Sequence, residues 1–240
     1  MQRALDKSRA RSSEVTREAI LDAAGAIFAR DGFSGARVDE IATAAGHNKA
    51  LIFHYFDDKL GLYRALMSRT KERLFTQFAE AFERFFADGA APGYAQVEAF
   101  ATECLHVIFD YYIAHPETTR ILAWEAAEGW QTFASCAPAM LGDWPQRIMD
   151  MIKRAQESGV VRATLDPYIL FTTMMSVPLI HLVSLRRFAL QFPEADFTSP
   201  QAIAHARDQL TALLLSGMLT PTQTSSQTSS QTSSQPATEA

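Results

Sequence analysis

The stretch 46-GHNKALIFHYFDDK-59 decides how the rest of the chain folds. It reads as a glycine turn, a helix of about two turns, and the start of another helix. The short helix is crowded with aromatic residues: Phe53, Tyr55 and Phe56. Such a helix is not stable alone, because nucleation is costly and tertiary packing supplies most helical stability. The flanking segments must therefore hold it against a small core and present one of its faces.

Two helices are predicted before this stretch. The first spans residues 16–32, with apolar residues at helical spacing and Thr16 as the expected N-cap. The second spans residues 38–46 and ends at Gly46, which readily adopts a left-handed C-terminal conformation. Asn48 is then the expected cap of the third helix. Two short helices joined by a brief glycine-containing turn form a helix-turn-helix, which the first helix supports here.

The remainder of the chain also shows helical periodicity, and we find no sustained period-two alternation that would indicate a sheet. Further helices are predicted at residues 59–87, 94–114, 117–128, 138–158, 167–190 and 200–218. Pro138 is expected in the first turn of its helix, whereas Pro145 and Pro178 are expected to break or kink theirs. The fold class is therefore all-α: an N-terminal three-helix bundle with a helix-turn-helix, followed by a larger helical domain.

Composition divides the chain into four parts. We expect a flexible basic arm at 1–15, a helix-turn-helix domain at 16–66, a helical ligand-binding and dimerisation domain at 67–219, and a tail at 220–240. The tail repeats the unit QTSS three times and is too polar to bury a core, so disorder is expected there. The arm is either a frayed terminus or a contact to the minor groove or phosphates of DNA.

The charge and cysteine content narrow the class of function. Because the formal net charge is −5, nucleic acid would be bound by a local patch of the surface and not attracted by the overall charge of the protein. Cys104 and Cys136 lack metal-ligand spacing and are expected to be reduced thiols. No metal or other cofactor is predicted. Residues 167–190 come nearest to a membrane span, but Pro178 and charged residues interrupt them, so a soluble cytoplasmic protein is predicted.

The short aromatic helix is the predicted reader of DNA. In a helix-turn-helix, the second helix enters the major groove and its N-terminal residues meet base edges. Lys49 can donate to guanine O6 or N7, and Leu51 can contact a thymine methyl group. The hydroxyl of Tyr55 and the ammonium of Lys59 suit phosphates on either side.

Core packing is the alternative for aromatic and aliphatic residues at this spacing. We assign Ile52 and Phe56 to the core, and Phe53 stays open between packing and phosphate contact. The predicted DNA-binding residues are Arg37, His47, Asn48, Lys49, Ala50, Leu51, Phe53, His54, Tyr55 and Lys59.

Residues 16–66 resemble the N-terminal domain of the TetR family of transcriptional regulators. The resemblance lies in three motifs: 17-REAILDAAGAIFARDGF-33, 37-RVDEIATAAG-46 and 48-NKALIFHYFDDKLGLYRAL-66. It departs from the family pattern at three positions, because Tyr is usual where Phe53 stands, Val is common at His47, and Thr is frequent at Leu51. These departures leave the class intact but leave the operator sequence open.

The resemblance implies that residues 67–219 dimerise and bind an effector. Helices 167–190 and 200–218 are also apolar enough to need burial on more than one side. Two such pairs around a two-fold axis would form a four-helix interface. The predicted interface residues are Met175, Leu179, Leu182, Val183, Leu210, Leu213 and Leu214.

The segment 115-HPETTRILAWEAAEGW-130 resembles the C-terminal domain of pyrimidine-responsive members of the family, although no ligand is carried over from them. Aromatic residues with a few polar groups could line an apolar effector pocket, the usual kind of ligand site. For each of them, core packing is the alternative. The candidates are His106, Phe109, Tyr112, Trp124, Glu125, Trp130, Phe133, Trp144, Phe171 and Met174.

The predicted function is a homodimeric repressor that a small-molecule effector releases from a palindromic operator on double-stranded DNA. Effector binding would shift the helix that begins near Lys59 and change the separation of the two recognition helices. One alternative is a DNA-binding regulator without a small-molecule effector. A helical enzyme is the other, but the sequence shows no spacing typical of a nucleophile–base pair or metal cluster, so no enzymatic activity is predicted.

Overall fold

The computed structural model describes residues 2–86 and 92–221, except for the side chains of residues 2–10, 80, 83, 86, 139 and 140. Ten α-helices lie within these ranges: α1 (Gln2–Gly35), α2 (Val38–Ala44), α3 (Lys49–Phe56), α4 (Lys59–Phe86), α5 (Tyr94–Ala114), α6 (Pro116–Ala127), α7 (Gln131–Leu141), α8 (Trp144–Glu157), α9 (Pro167–Gln191) and α10 (Pro200–Met218). Over the same ranges there is no strand, only an isolated antiparallel bridge between Val161 and Leu219. The predicted all-α class is confirmed.

The first helix begins earlier than predicted. Residues 2–15 were expected to form a flexible arm, but the chain is helical from Gln2, and Thr16 lies inside the helix instead of capping it. The segment contains no Gly or Pro, and its three Arg and two Ala have high helix propensity. At the predicted stop, Gly32 has φ +69° and kinks the helix, which then continues to Gly35.

The predicted helix at 138–158 is in fact two helices, and α7 begins earlier than expected. Pro138 lies inside α7 and not in a first turn. The chain breaks instead at Gly142, whose φ of +57° suits glycine, and Pro145 occupies the first turn of α8. The sequence pattern missed α7 because Pro138 was read as a start signal. The break itself was expected at Pro145, three residues too late.

Two hydrophobic cores hold the helices together. The first joins α1, α2, α3 and the start of α4, but it also contains Ile121 of α6 and Cys136 of α7. The second joins the end of α4 to α5, α8 and α10. The helix-turn-helix is therefore packed directly against α6 and α7, across the boundary predicted at residues 66 and 67.

Little of the α9 surface is buried within one chain. An 18-residue window of α9 has a mean hydropathy of 1.7, and the helix is long and apolar enough to cross a membrane. Only 11% of that window is buried. Several large side chains on α9, on α10 and just beyond α9 are exposed: Tyr168, Ile169, Ile180, Val183, Leu190, Phe192 and Leu213. Exposed apolar side chains that lie together are typical of surfaces that associate with a protein partner or a membrane.

The predicted tail falls almost entirely outside the described residues. Of residues 220–240, only Thr220 and Pro221 are described. Thr220 donates its backbone N–H to the carbonyl of Val160, 2.9 Å away, beside the Val161–Leu219 bridge. The helical part of the chain is thus closed by a contact between the end of α10 and the segment after α8.

Candidate DNA-binding surface and effector cavity

The turn between α2 and α3 has the geometry that the sequence predicted. Gly46 has φ +70°. The N–H of His47 donates to the carbonyl of Ala42 at 2.9 Å, and that of Gly46 donates to Thr43 at 3.1 Å. These two bonds form a Schellman motif, which requires a left-handed residue where Gly46 stands. A local glycine thus fixes the angle at which α3 leaves α2.

The short helix α3 is capped and anchored as predicted. Asn48 accepts the N–H of Leu51 on its side-chain oxygen at 2.8 Å. Ile52 is completely buried and Phe56 is 4% exposed, and both belong to the first core. Since these two residues face inwards, the opposite side of α3 is directed to solvent, with Lys49, Ala50, Phe53 and His54 exposed.

Lys49 is held by an ion pair that the sequence did not reveal. Its Nζ lies 2.9 Å from Oδ2 of Asp39 at the start of α2, and 5.8 Å from the ring centroid of Phe53. Both charged side chains are substantially exposed, so this pair is worth about 0–1 kcal/mol. A base contact worth about 1–3 kcal/mol would outcompete it. The pair therefore holds Lys49 only weakly at the exposed face of α3.

Tyr55 and Lys59 both contact residues of α1. The hydroxyls of Tyr55 and Ser13 lie 2.8 Å apart, which joins α3 to α1. Lys59 donates to the carbonyl of Ser34 at 3.3 Å, and its Nζ lies 4.7 Å from the ring centroid of Phe33. Burial lowers the pKa of Lys59, with nearby Glu128 opposing the effect. Its ammonium must turn away from the end of α1 before it can reach a phosphate.

The other predicted DNA-binding residues lie around the same turn. Arg37 is exposed and is the N-cap residue of α2, without a side-chain cap bond. His47 and Leu51 are partly buried on either side of Asn48. Sequence reasoning missed Ser13 and Asp39, since only the folded arrangement brings them to α3.

A second candidate site is an apolar cavity of about 320 Å³ beside the second core. It lies mainly among α4, α5, α8 and α9, with contributions from α6, α7 and α10. Five of the ten predicted pocket residues line it: Tyr112, Phe133, Trp144, Phe171 and Met174. Met175, predicted to lie in the dimer interface, lines it too. The aromatic side chains of α4 (Phe75, Phe78, Phe82 and Phe85) also line it, although sequence reasoning had assigned α4 a connecting role.

The other five predicted pocket residues do not line this cavity. Phe109 is completely buried in packing, and His106 lies 3.6 Å from Asp208 of α10. Trp124 and Trp130 are each 40% exposed. The position of Trp124 is explained by Gly32, where an added Cβ would come within 3.2 Å of the indole ring. The face of α6 that carries Trp124 is turned towards α1, so Trp124 packs there and not in the cavity.

Glu125, the fifth of these residues, forms a buried link between α4 and α7 at the edge of the first core. It is 2% exposed. Its Oε1 accepts the hydroxyl of Tyr63 on α4 at 2.6 Å, and its Oε2 accepts the backbone N–H of Phe133 on α7 at 3.1 Å. Burial, followed by the bond to Glu125, raises the pKa of the Tyr63 phenol, which therefore remains a donor. Because the ring of Phe133 lines the cavity, the link runs from the cavity wall to α4.

A capped helix-turn-helix together with an apolar cavity in the helical remainder of the chain is typical of one class of protein, the DNA-binding regulators of transcription. Residues 20–66 match the family described as bacterial regulatory proteins, tetR family, and residues 98–213 match the tetracyclin repressor-like C-terminal domain. The chain is 30% identical over 213 residues to the HTH-type transcriptional repressor NicS of Pseudomonas putida. This match covers 88% of this chain and 95% of NicS. The protein belongs to the TetR family and is a DNA-binding transcriptional regulator.

Two further comparisons agree with this assignment. The chain is 31% identical over 165 residues to the HTH-type transcriptional regulator RutR of Escherichia coli O157:H7, covering 66% of this chain and 70% of RutR. The crystal structure of the transcriptional regulator SCO4942 of Streptomyces coelicolor superposes with a TM-score of 0.60 at 25% identity, covering 85% of this chain and 98% of that one. The relatives are regulators of transcription.

Proposed function

We propose that the protein is a homodimeric repressor that binds a two-fold symmetric operator and leaves it when a small molecule occupies the cavity. The observation that carries this proposal is the pairing of a capped recognition helix with an apolar cavity through one buried hydrogen-bonded link. The relatives NicS and SCO4008 are named as transcriptional repressors, which favours repression. We place this activity in the cytoplasm, where the DNA is.

The exposed surface of α9 and α10 supports a dimer. Ile180 and Leu213 are 62% and 66% exposed in one chain, and α9 needs a partner for its apolar side. A second copy placed around a two-fold axis would cover both helices at once. Arg186 and Arg187 at the end of α9 are exposed and would be costly in a lipid interior. A protein partner is therefore the better cover than a membrane.

A dimer also supplies the sequence specificity that one short recognition helix lacks. Each recognition helix presents only a few side chains to base edges, and each good contact is worth about 1–3 kcal/mol. Two copies read two half-sites, one helical turn or a multiple of it apart. Specificity then depends on the distance between the two copies of α3, which is the quantity an effector would change.

The buried link gives a route for that change. A molecule that displaces Phe133 as a whole, backbone included, would also move the N–H that donates to Glu125. Glu125 must then shift with it or leave a donor unpaired, which is costly in a buried site. Its other oxygen holds Tyr63, one turn after the start of α4 at Lys59. Displacement of α4 would carry α3 with it, because the two are joined by only two residues.

We expect the Tyr63–Glu125 bond to be strongly coupled in a double-mutant cycle. Tyr63→Phe and Glu125→Gln should each lower the free energy of unfolding by about 1–3 kcal/mol, since each disturbs a buried hydrogen bond. The double variant should lose less than the sum of the two, with a coupling energy of about 1 kcal/mol or more. Urea unfolding measures all three variants, with Tyr94→Phe as the control. Additive losses would contradict the link.

The test of the function is footprinting on DNA next to the protein's own gene. We expect a two-fold symmetric protected region for the wild type. Ile180→Asp with Leu213→Asp should give monomers in sedimentation and weaken operator binding by more than tenfold, because the two half-sites are no longer bound together. Ile113→Asp, an exposed apolar residue outside α9 and α10, is the control. A wild-type monomer, or an asymmetric footprint, would rule out the dimeric repressor.

A further inference from the structure

We propose that the cavity accepts a long, uncharged amphiphile whose oxygen-bearing head lies against the hydroxyls of Thr70, Tyr111 and Thr118. A long-chain alcohol or ketone has this chemistry. The inference rests on the proposed role of the cavity as the effector site and names the class of molecule that would fill it. It follows from the length of the cavity, the composition of its wall and the charges around its polar end.

The cavity extends along two helices, α4 and α5. Thr70 and Phe85 of α4 both line it, and so do Val97 and Tyr111 of α5. At 1.5 Å per helical residue, each pair spans about 21–23 Å along its helix. A volume of about 320 Å³ spread over that distance suits an extended chain and not a compact molecule.

The wall along this length consists mainly of carbon and sulfur. Its aromatic residues on α4 and α5 include Phe78, Phe82 and Phe100, and its sulfur-containing residues include Met151 and Met174. Each methylene that leaves water for such a wall gains about fourfold in affinity. Methionine side chains adapt their shape to the ligand, so the wall can accept chains that differ slightly in thickness.

Polar side chains cluster at one end of this wall. Tyr111 is 2% exposed, and its side chain lies among those of Thr118 and Thr70, which also line the cavity. Thr118 is itself 5% exposed. Hydroxyl groups can both donate and accept, so this cluster suits an alcohol or carbonyl oxygen. A ligand would therefore lie with its oxygen towards Tyr111 and its chain towards Phe85.

The charges near the cavity disfavour a cationic head and leave an anionic head one possible partner in the described lining. Among the described lining residues there is no Asp or Glu, so a cationic ligand would have no acidic partner. That possible partner is Lys71, whose Nζ lies 5.7 Å from the ring centroid of Phe75, so a carboxylate would have to draw it away from that ring. Beyond the polar end, Arg73 pairs with Glu18 at 3.4 Å, and Glu117 lies 3.1 Å from His115. Burying an unpaired ion costs far more than burying a neutral head.

The test is displacement of the neutral fluorophore N-phenyl-1-naphthylamine from the full-length protein. The competitors are 1-dodecanol, dodecanoate and dodecyltrimethylammonium, which share a chain length and differ in charge. We expect 1-dodecanol to bind at least about tenfold more tightly than either ion, and 1-octanol to bind more than tenfold more weakly than 1-dodecanol. Tyr111→Phe should weaken 1-dodecanol binding about fivefold. Thr118→Val provides a second such variant, and Tyr94→Phe is the control.

Equal or tighter binding of either ion would overturn the assignment of an uncharged head. Failure of the fluorophore and every competitor to bind would overturn the cavity as a ligand site. Operator binding is measured separately on the same protein. If 1-dodecanol binds but leaves operator affinity unchanged, the ligand class stands and the proposed release mechanism fails.

Discussion

Lys49→Ala is expected to weaken operator binding of the dimer by about a hundredfold or more. Lys49 stands in the first turn of α3, where side chains of a recognition helix meet base edges. A good base contact is worth about 1–3 kcal/mol, and the dimer would lose two of them. The folded domain should be unaffected, because the side chain is exposed and its pair with Asp39 is worth little.

The measurement is fluorescence anisotropy with the footprinted operator and with a scrambled duplex of the same length. A base-reading Lys49 predicts a large loss on the operator and a small one on the scrambled duplex. Equal losses on both would instead indicate a phosphate contact. Asp39→Asn is the matched control, since it breaks the same ion pair but keeps the lysine. We expect Asp39→Asn to bind DNA at least as tightly as the wild type, because a negative charge near phosphates is removed.

Gly61→Ala is expected to lower the free energy of unfolding by about 2–3 kcal/mol and to weaken operator binding. A Cβ at Gly61 would overlap the carbonyl oxygen of Phe56 and come within 3.1 Å of its carbonyl carbon. Both are backbone atoms, so relief requires α3 to move relative to α4. Overpacking of this kind costs about 1–3 kcal/mol and is seldom absorbed by side-chain rotation alone.

The junction between α3 and α4, residues 57 and 58, leaves little room for one helix to move relative to the other. Asp57 has φ +64°, uncommon for a residue other than glycine, and the N–H of Asp58 donates to Phe56 at 2.7 Å. Asp58 also caps α4 by accepting the N–H of Gly61 at 2.6 Å. Urea unfolding and operator anisotropy would measure the two effects. Gly25→Ala is the control: its Cβ would make ordinary contacts at 3.7 Å or more, so it should be neutral or stabilise by up to about 1 kcal/mol. Wild-type stability and affinity in Gly61→Ala would contradict the steric argument.

The sequence by itself determined the local features of the DNA-binding domain. The turn at Gly46, the cap at Asn48 and the inward face at Ile52 and Phe56 each depend on residues within a few positions of one another. Short-range backbone preferences and helical periodicity control them, and both can be read from a single chain. The same rules predicted the ends of α5, α9 and α10 to within about one residue.

Only the tertiary structure decided which distant residues meet. The Lys49–Asp39 pair and the Tyr63–Glu125 bond join residues 10 and 62 positions apart, and no spacing rule links such positions. Five predicted pocket residues lie outside the cavity for the same reason. Periodicity identifies the apolar face of a helix, but it does not show which other helix will pack against that face. Where α6 turns towards α1, Trp124 packs on Gly32, and the cavity is left to aromatic residues from α4, α5 and their neighbours. Local preferences thus set the helices and their caps, and packing between helices determined the link and the cavity.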